Sequence, residues 1–403
     1  MSQDPSVISR LVEPDRASSR AEPWVPTLES LAAGMDRRRP LLVYRGPSQR
    51  NRLRVVIRAL VEHYGDLDMI WLIPQGASER AVRWLDQQPG LKALRLVDAR
   101  RSNLLSSLLG REVRRFGPRR VVAAVNFSSL IYARQFRSDW MAWFVQSAPE
   151  DRMYHHRLLG RVEASLRWRI QGWGRRPDQV ITVSSPLGRM VRQKLGYDNV
   201  VTIPNSVDDN AFRPPAQPGG PLTLAYIGSG APWQGVEPLA ELWEEIHKAR
   251  PSIRFRVVSK DPRTELLYKN IAESNIEVKS AWTSEEVADS LVGCSAGFIA
   301  RMPSLASRAS WPIKLGDYLA ASVPVVAYDW EWDVADVVRA NACGYLLDLN
   351  SPPSQQARDL LNWLDSPSYR ESVNACRRFA LSISDSVVVE ELRSLMPLRV
   401  DNG

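Results

Sequence analysis

No stretch of the 403-residue chain approaches the roughly 18 consecutive apolar residues that a membrane-spanning helix needs. The N-terminus, MSQDPSVISRLVEPDR, lacks an apolar core and does not read as a secretory signal. Cysteine is scarce. Cys294, Cys343 and Cys376 stand far apart, without the spacing of metal ligands, and this points to ordinary thiols in a reducing compartment. Also missing is any nucleic-acid module or basic repeat interleaved with aromatics, although the formal charge is +8. The basic surplus therefore points to an anionic membrane or an anionic substrate, with no nucleic acid among the partners. A cytoplasmic location is expected.

What is present is the make-up of a globular protein, 44% hydrophobic and 24% charged, too long for one ordinary core. Residues 1–38 carry prolines and charges with little periodicity and read as an N-terminal extension. Pro40–Tyr44, Asp68–Pro74, Leu94–Val97 and Arg120–Val125 then read as buried strands, with helices predicted over Asn51–His63, Glu79–Asp86 and Ser102–Phe116. Further strands are predicted at Gln179–Ser185 and Val200–Ile203, around a helix at Leu187–Leu195. After the linker Pro214–Pro221 the alternation resumes with Leu222–Ile227, Ile253–Val258, Asn275–Val278, Ser295–Ala300 and Val325–Ala327 as strands. Strands alternating with helices at this spacing argue for doubly wound parallel sheets.

Chemistry concentrates at the ends of these strands. Gly228-Ser229-Gly230 is a glycine-rich turn between strand and helix, where backbone N–H groups can approach a phosphate. Lys260 follows the next strand, and Trp282 opens a segment in which Thr283 or Ser284 caps a helix. The central stretch is Trp311–Ala327, WPIKLGDYLAASVPVVA, a short helix followed by a strand. Lys314 lies in that helix's first turn, where a cation opposes the local dipole; it is either an anion ligand or a solvated surface lysine. Arg301, Arg308 and Lys314 converge around the same loop. In the first half, Asn126 stands where a strand ends; it can bond a ligand or be a plain loop residue. The helix Arg157–Ile170 sets Leu158, Leu159, Val162 and Leu166 among arginines, with Trp168 and Trp173 at its border. It reads either as a helix at an anionic membrane interface or as a core-facing amphipathic helix ending in a basic loop. His155 and His156 are adjacent and point apart, so no paired metal site is expected there.

Two motifs carry a family resemblance. The first, Gln179–Pro214, runs V-I-T-V-S…G…V-V-T-I-P-N-S-V-D-D-N-A-F-R-P; the second is the Pro312–Ala327 stretch. Both resemble the inter-domain and donor-binding signatures of GT-B glycosyltransferases, especially the retaining glycosyltransferase family 4, over roughly Gln179–Leu395. The resemblance implies an α/β chain with two Rossmann-like doubly wound domains facing a central cleft. The boundaries expected are residues 1–38 as extension, 39–214 as acceptor-side domain, 215–380 as donor-binding domain, and 381–403 as a helix crossing back onto the first domain.

It implies a sugar moved from a nucleotide-diphosphate sugar to a carbohydrate or lipid-linked acceptor, with retention, without a metal or other cofactor, in glycan or envelope polysaccharide synthesis. Peripheral association with anionic membrane through residues 157–176 is expected. Catalytic roles would fall to Asn126, Arg308 and Lys314. Donor contacts would come from Gly228, Ser229, Gly230, Lys260, Trp282, Arg301 and Ile313, with Asp317 on the ribose hydroxyls. This chain departs from the family at four places. Ser229 and Gln234 stand where the family commonly has arginine and lysine on the diphosphate, Ala309 where it has its first acidic residue, and Ser322 where it has glycine. Arg301, Arg308 and Lys314 would replace the missing cations. The alternative is a catalytically inactive GT-B body acting as a binding or scaffold subunit.

Overall fold

A computed structural model describes residues 35–36, 38–45, 50–73, 84–85, 87–98, 119–150, 157–208, 211–212 and 221–398. The helix predicted over Ser102–Phe116, most of that at Glu79–Asp86, His155, His156, and nearly all of the extension and linker lie outside the described residues.

The first sheet contains β1 (Leu41–Arg45), β2 (Leu67–Ile73), β3 (Leu91–Asp98), β4 (Arg119–Val125), β5 (Ser138–Val145), β6 (Gln179–Thr182) and β7 (Val200–Thr202). Their lateral order is β3-β2-β1-β4-β5-β6-β7, with every pairing parallel. The described helices between them are α1 (Arg50–Tyr64), α2 (Ser129–Ala133), α3 (Arg157–Gly172) and α4 (Ser185–Leu195). Both faces are covered, so the strands read as continuous apolar runs. Leu42 and Tyr44 point to the cluster under α1, and Leu41 and Val43 to the opposite one, which includes Trp168.

One strand, β5, does not follow from the sequence pattern. Its residues SDWMAWFV form an interior strand in which Trp143 is fully buried and donates its indole N–H to the Asn126 carbonyl (3.1 Å). A strand apolar on both sides shows no period of two, and that is why it was not recognised.

The second sheet contains β8 (Thr223–Ile227), β9 (Arg254–Val258), β10 (Ile276–Lys279), β11 (Ala296–Ile299), β12 (Val325–Asp329) and β13 (Gly344–Asp348), in the order β10-β9-β8-β11-β12-β13. Its helices are α5 (Val236–Ala249), α6 (Ser284–Leu291), α7 (Leu305–Ala309), α8 (Ile313–Ala320), α9 (Asp333–Asn341), α10 (Pro353–Leu364) and α11 (Pro367–Ser382). This is the doubly wound order in which ligands sit where the strand order reverses, beside β8 and β11. Thr283 caps α6 reciprocally with Glu286, as its sequence signature predicts. Gly297 has no room for a side chain, because a Cβ would meet the Tyr318 ring at 2.3 Å; strand β11 and helix α8 pack in direct contact there.

The last helix, α12 (Asp385–Ser394), returns to the first domain. Val388, Val389 and Leu392 are buried with Leu53, Val56 and Leu60 of α1, each worth about 1.5–3 kcal/mol of burial. Arg54 of α1 ties this return to the inter-domain loop, pairing with Asp385 at 2.6 Å and with Asp208. Backbone bonds Val207 N–H to Ile383 O and Asp385 N–H to Val207 O, both 2.9 Å, complete the seam.

Candidate active site

The carboxyl edges of the two sheets meet through three polar contacts. Ser184, the N-cap of α4, donates its hydroxyl to the Ala309 carbonyl at 2.7 Å. Ser185 N–H donates to Asp333 Oδ2 at 2.9 Å, and Asn205 Nδ2 to the Trp311 carbonyl at 3.0 Å. Ala309 is completely buried, and it lies with Trp311 in the apolar cluster of the first domain. Helix α7 therefore belongs to the second domain by sequence and packs with the first.

On the second sheet, β8 delivers its chain into the glycine turn. The Gly228 N–H donates back to Val258 O (3.1 Å), the Tyr226 hydroxyl to Ser229 O (2.7 Å), and the Gly230 N–H to Asp261 Oδ2 (3.0 Å). The Arg263 guanidinium, helped by the Arg263 and Gly230 backbone N–H groups, holds the Asp261 carboxyl down at about 2. One of the turn's N–H groups is thus already bonded to a carboxylate of the same chain.

The cation at this turn is Lys314, which extends from the first turn of α8 and is buried. Its Nζ donates to Gln234 Oε1 at 2.9 Å, lies 4.5 Å from the centroid of the Tyr226 ring, and would sit 2.9 Å from a Cβ at Gly228. Burial pushes its pKa well below the lysine range; the nearby Arg301 charge adds to this and Asp317 opposes it. Arg301 leaves the end of β11 and donates to the Ser310 hydroxyl. One residue after Gly316, the Asp317 carboxyl is half-buried, and desolvation lifts it to about 7 against the pull of Lys314 and Arg54. Among the described residues nothing hydrogen-bonds it.

Gly228, Gln234, Arg301 and Asp317 are therefore gathered around Lys314. The remaining sequence candidates are placed differently. Lys260 lies over the ring face of Trp282, which is 63% exposed, as a separate pair beside β9 and β10. Arg308 reaches toward Glu331 at 3.5 Å, and Ile313 is exposed at the start of α8. Asn126 has a left-handed backbone (φ 85°), which asparagine tolerates. Its side chain donates to Arg45 O (2.8 Å) and accepts from Phe127 N–H (2.7 Å), so it shapes the end of β4.

Tyr226, Gln234 and Asp261 were not among the candidates, although each contacts the glycine turn or Lys314. Another was Gln146, directly after β5, whose amide O and N are enclosed without a partner among the described residues. Recognising β5 as a strand would have put Gln146 at a sheet edge beside Asn126. No three His, Cys, Asp or Glu side chains gather as metal ligands among the described residues.

Comparisons with known proteins bear on the fold and on the second domain. Residues 221–366 match the family described as Glycosyl transferases group 1. Among curated proteins, none matches the chain in sequence. Solved structures that superpose on it include a glycosyltransferase from Rickettsia africae (TM-score 0.62, 13% identity, covering 88% of this chain and 96% of that one). Sucrose-phosphate synthase from Thermosynechococcus elongatus superposes with a TM-score of 0.65 at 14% identity, covering 89% and 98%. Anabaena HepE in complex with UDP does so with a TM-score of 0.67 at 11% identity, covering 88% and 98%. The superpositions establish the two-domain GT-B fold, and residues 221–366 match the family of group 1 glycosyl transferases.

Proposed function

We propose that the chain transfers a sugar from a nucleotide-diphosphate sugar to an acceptor hydroxyl between its two domains, with retention at the anomeric carbon and without a metal. The observation that carries this is the pairing of buried Lys314 with the glycine turn at Gly228, one helical turn from the Asp317 carboxyl, which nothing hydrogen-bonds among the described residues. A diphosphate at the turn would meet Lys314 and Arg301, and Asp317 is free to accept from the nucleotide's ribose hydroxyls. As the bond from the anomeric carbon to the diphosphate oxygen breaks, negative charge grows on the leaving phosphate. Lys314 and Arg301 are set to stabilise that charge before the reaction begins, which is the electrostatic contribution such sites make.

Trp282 offers a ring for the base, and Gln146 a free amide on the acceptor side. The UDP and UDP-glucose complexes of HepE concern that protein; a uridine nucleotide is the first to try here. Retention and the absence of a cofactor rest on the family resemblance. The acceptor is proposed to be a carbohydrate or a lipid-linked glycan, and the boundaries near 38, 214 and 380 are proposed as the domain limits.

The test is thermal unfolding with UDP, GDP, ADP, TDP and their sugars, for wild type and Asp317→Ala. One nucleotide should raise the melting temperature of wild type and not of the variant. No shift with any of them would sink this reading in favour of a binding subunit without a working donor site.

A further inference from the structure

Helix α3 has two apolar sides, and only one of them faces the protein. Gly160, Ala164, Trp168 and Gln171 are buried against the first domain. Trp168 is fixed there by an indole N–H bond to Glu150 Oε1 (3.0 Å) and an edge contact with Phe127 (4.9 Å). The opposite side carries Leu159, Val162, Leu166 and Trp173, exposed by 71, 68, 56 and 77%. Spacings of three, four and seven residues set these four in one row along the outer surface. Trp173 stands just past the helix, its N–H bonded to Ile170 O, so it continues the row at one end.

The sequence pattern suggested a different division, with Trp168 at the outer border. The structure turns Trp168 inward and leaves the aliphatic row with no covering element among the described residues. Four large apolar side chains exposed together are a contact surface, because single exposed ones need no explanation and a row does.

The charges around this row identify its occupant. Arg169 is exposed beside Val162 and Trp173, Arg161 is exposed further round the helix beyond it, and neither makes an ion pair among the described residues. The acid on this helix, Glu163, is taken by Arg167 at 2.6 Å. The face is therefore apolar along its centre and positive along one border, with the Glu163–Arg167 pair along the other. Bringing a second copy of the same face against it would set arginine against arginine around a row of only a few turns. Anionic headgroups over an acyl layer fit both features at once, receiving the arginines at the phosphates and the leucines and tryptophan below them.

We infer that the Leu159–Val162–Leu166–Trp173 face of α3, with Arg161 and Arg169, docks the first domain onto an anionic lipid bilayer. Helix α3 lies in that plane as a surface element. This inference does not depend on the donor-site reading, since it concerns vesicle binding alone.

The test is co-sedimentation of the full chain with vesicles of phosphatidylcholine, with and without a third of phosphatidylglycerol. Wild type should bind only the anionic vesicles, and high salt should weaken binding. Leu166→Glu and the double variant Arg161→Glu with Arg169→Glu should each bind at least about tenfold more weakly. Leu266→Glu, an exposed apolar residue of the second domain, should bind as wild type does. Unchanged melting temperatures would show that the variants are folded, as expected for outward-facing positions. Three results would overturn the inference: wild type that ignores both vesicle types, vesicle binding that persists in Leu166→Glu, or a wild-type dimer that Leu166→Glu splits into monomers.

Discussion

Lys314 Nζ and Gln234 Oε1 lie 2.9 Å apart, across 80 residues of sequence. Glutamine stands where the resembled family commonly has its phosphate-binding lysine, and here a lysine from another helix reaches the same spot. The cation at the turn is thus supplied from α8, and the glutamine holds it there.

This relationship makes Lys314 the side chain whose loss should matter most for nucleotide binding. A charge-assisted bond to phosphate is worth about 1.5–3 kcal/mol. Lys314→Met should therefore weaken binding of the stabilising nucleoside diphosphate by roughly 10–100-fold at pH 7 in isothermal titration calorimetry. Binding should also take up protons. Burial disfavours the charged lysine in the free protein, and an anion beside it restores that charge. Titrations at pH 8 in buffers of different ionisation enthalpy should show net proton uptake in wild type and less in Lys314→Met.

Asp317 links pH to stability. Its carboxyl is raised to about 7 in the folded protein, from about 3.9 in an unfolded chain. Between these values the folded state binds more protons than the unfolded state, so stability falls as pH rises through that window, and the loss is complete above about 7. Asp317→Asn removes the ionisation. Its urea midpoint should match wild type near pH 4 and exceed it at pH 8, by on the order of 1–2 kcal/mol once solvent screening of this half-buried group is allowed for.

Ser322 stands where the family has glycine, and its backbone is left-handed at φ 57°. A residue with a Cβ is strained there, and glycine is not. Ser322→Gly should raise stability by about 0.5–1 kcal/mol, after the added entropy of the unfolded glycine is subtracted. Nucleotide binding should be unchanged, with chemical denaturation and calorimetry as the measurements.

The second sheet and the loops around it were readable in sequence because punctuation and pattern agree there. Pro312 opens α8, Pro324 precedes β12, and Thr283 with Glu286 spells a reciprocal cap. The convergence of Arg301 and Lys314 was also legible, since both lie at ends of predicted strands or helices. What could not be read is which way a side chain turns once the elements pack. Asp261 occupies the Gly230 N–H, and Arg308 swings toward Glu331. Helix α3 shows the same limit, because a helix apolar on both sides does not reveal which side is the core. Residue 309 is a further case: a family alignment places it at the cleft, and packing places it elsewhere.

Ala309 therefore yields the most discriminating substitution. The family's first acidic residue maps to this position, so Ala309→Glu looks on sequence like a restoration. In the structure the Ala309 methyl has no exposed surface, shares a cluster with Val183, Leu187 and Trp311, and its carbonyl accepts from Ser184. A carboxylate there would be buried among apolar groups at the seam between the domains. Such a burial costs about 3–5 kcal/mol when no partner is present. Ala309→Glu should lower the urea midpoint by that order and leave nucleotide affinity no better than wild type. Wild-type stability with improved donor binding would show instead that α7 leaves the first domain in solution and turns residue 309 to the cleft.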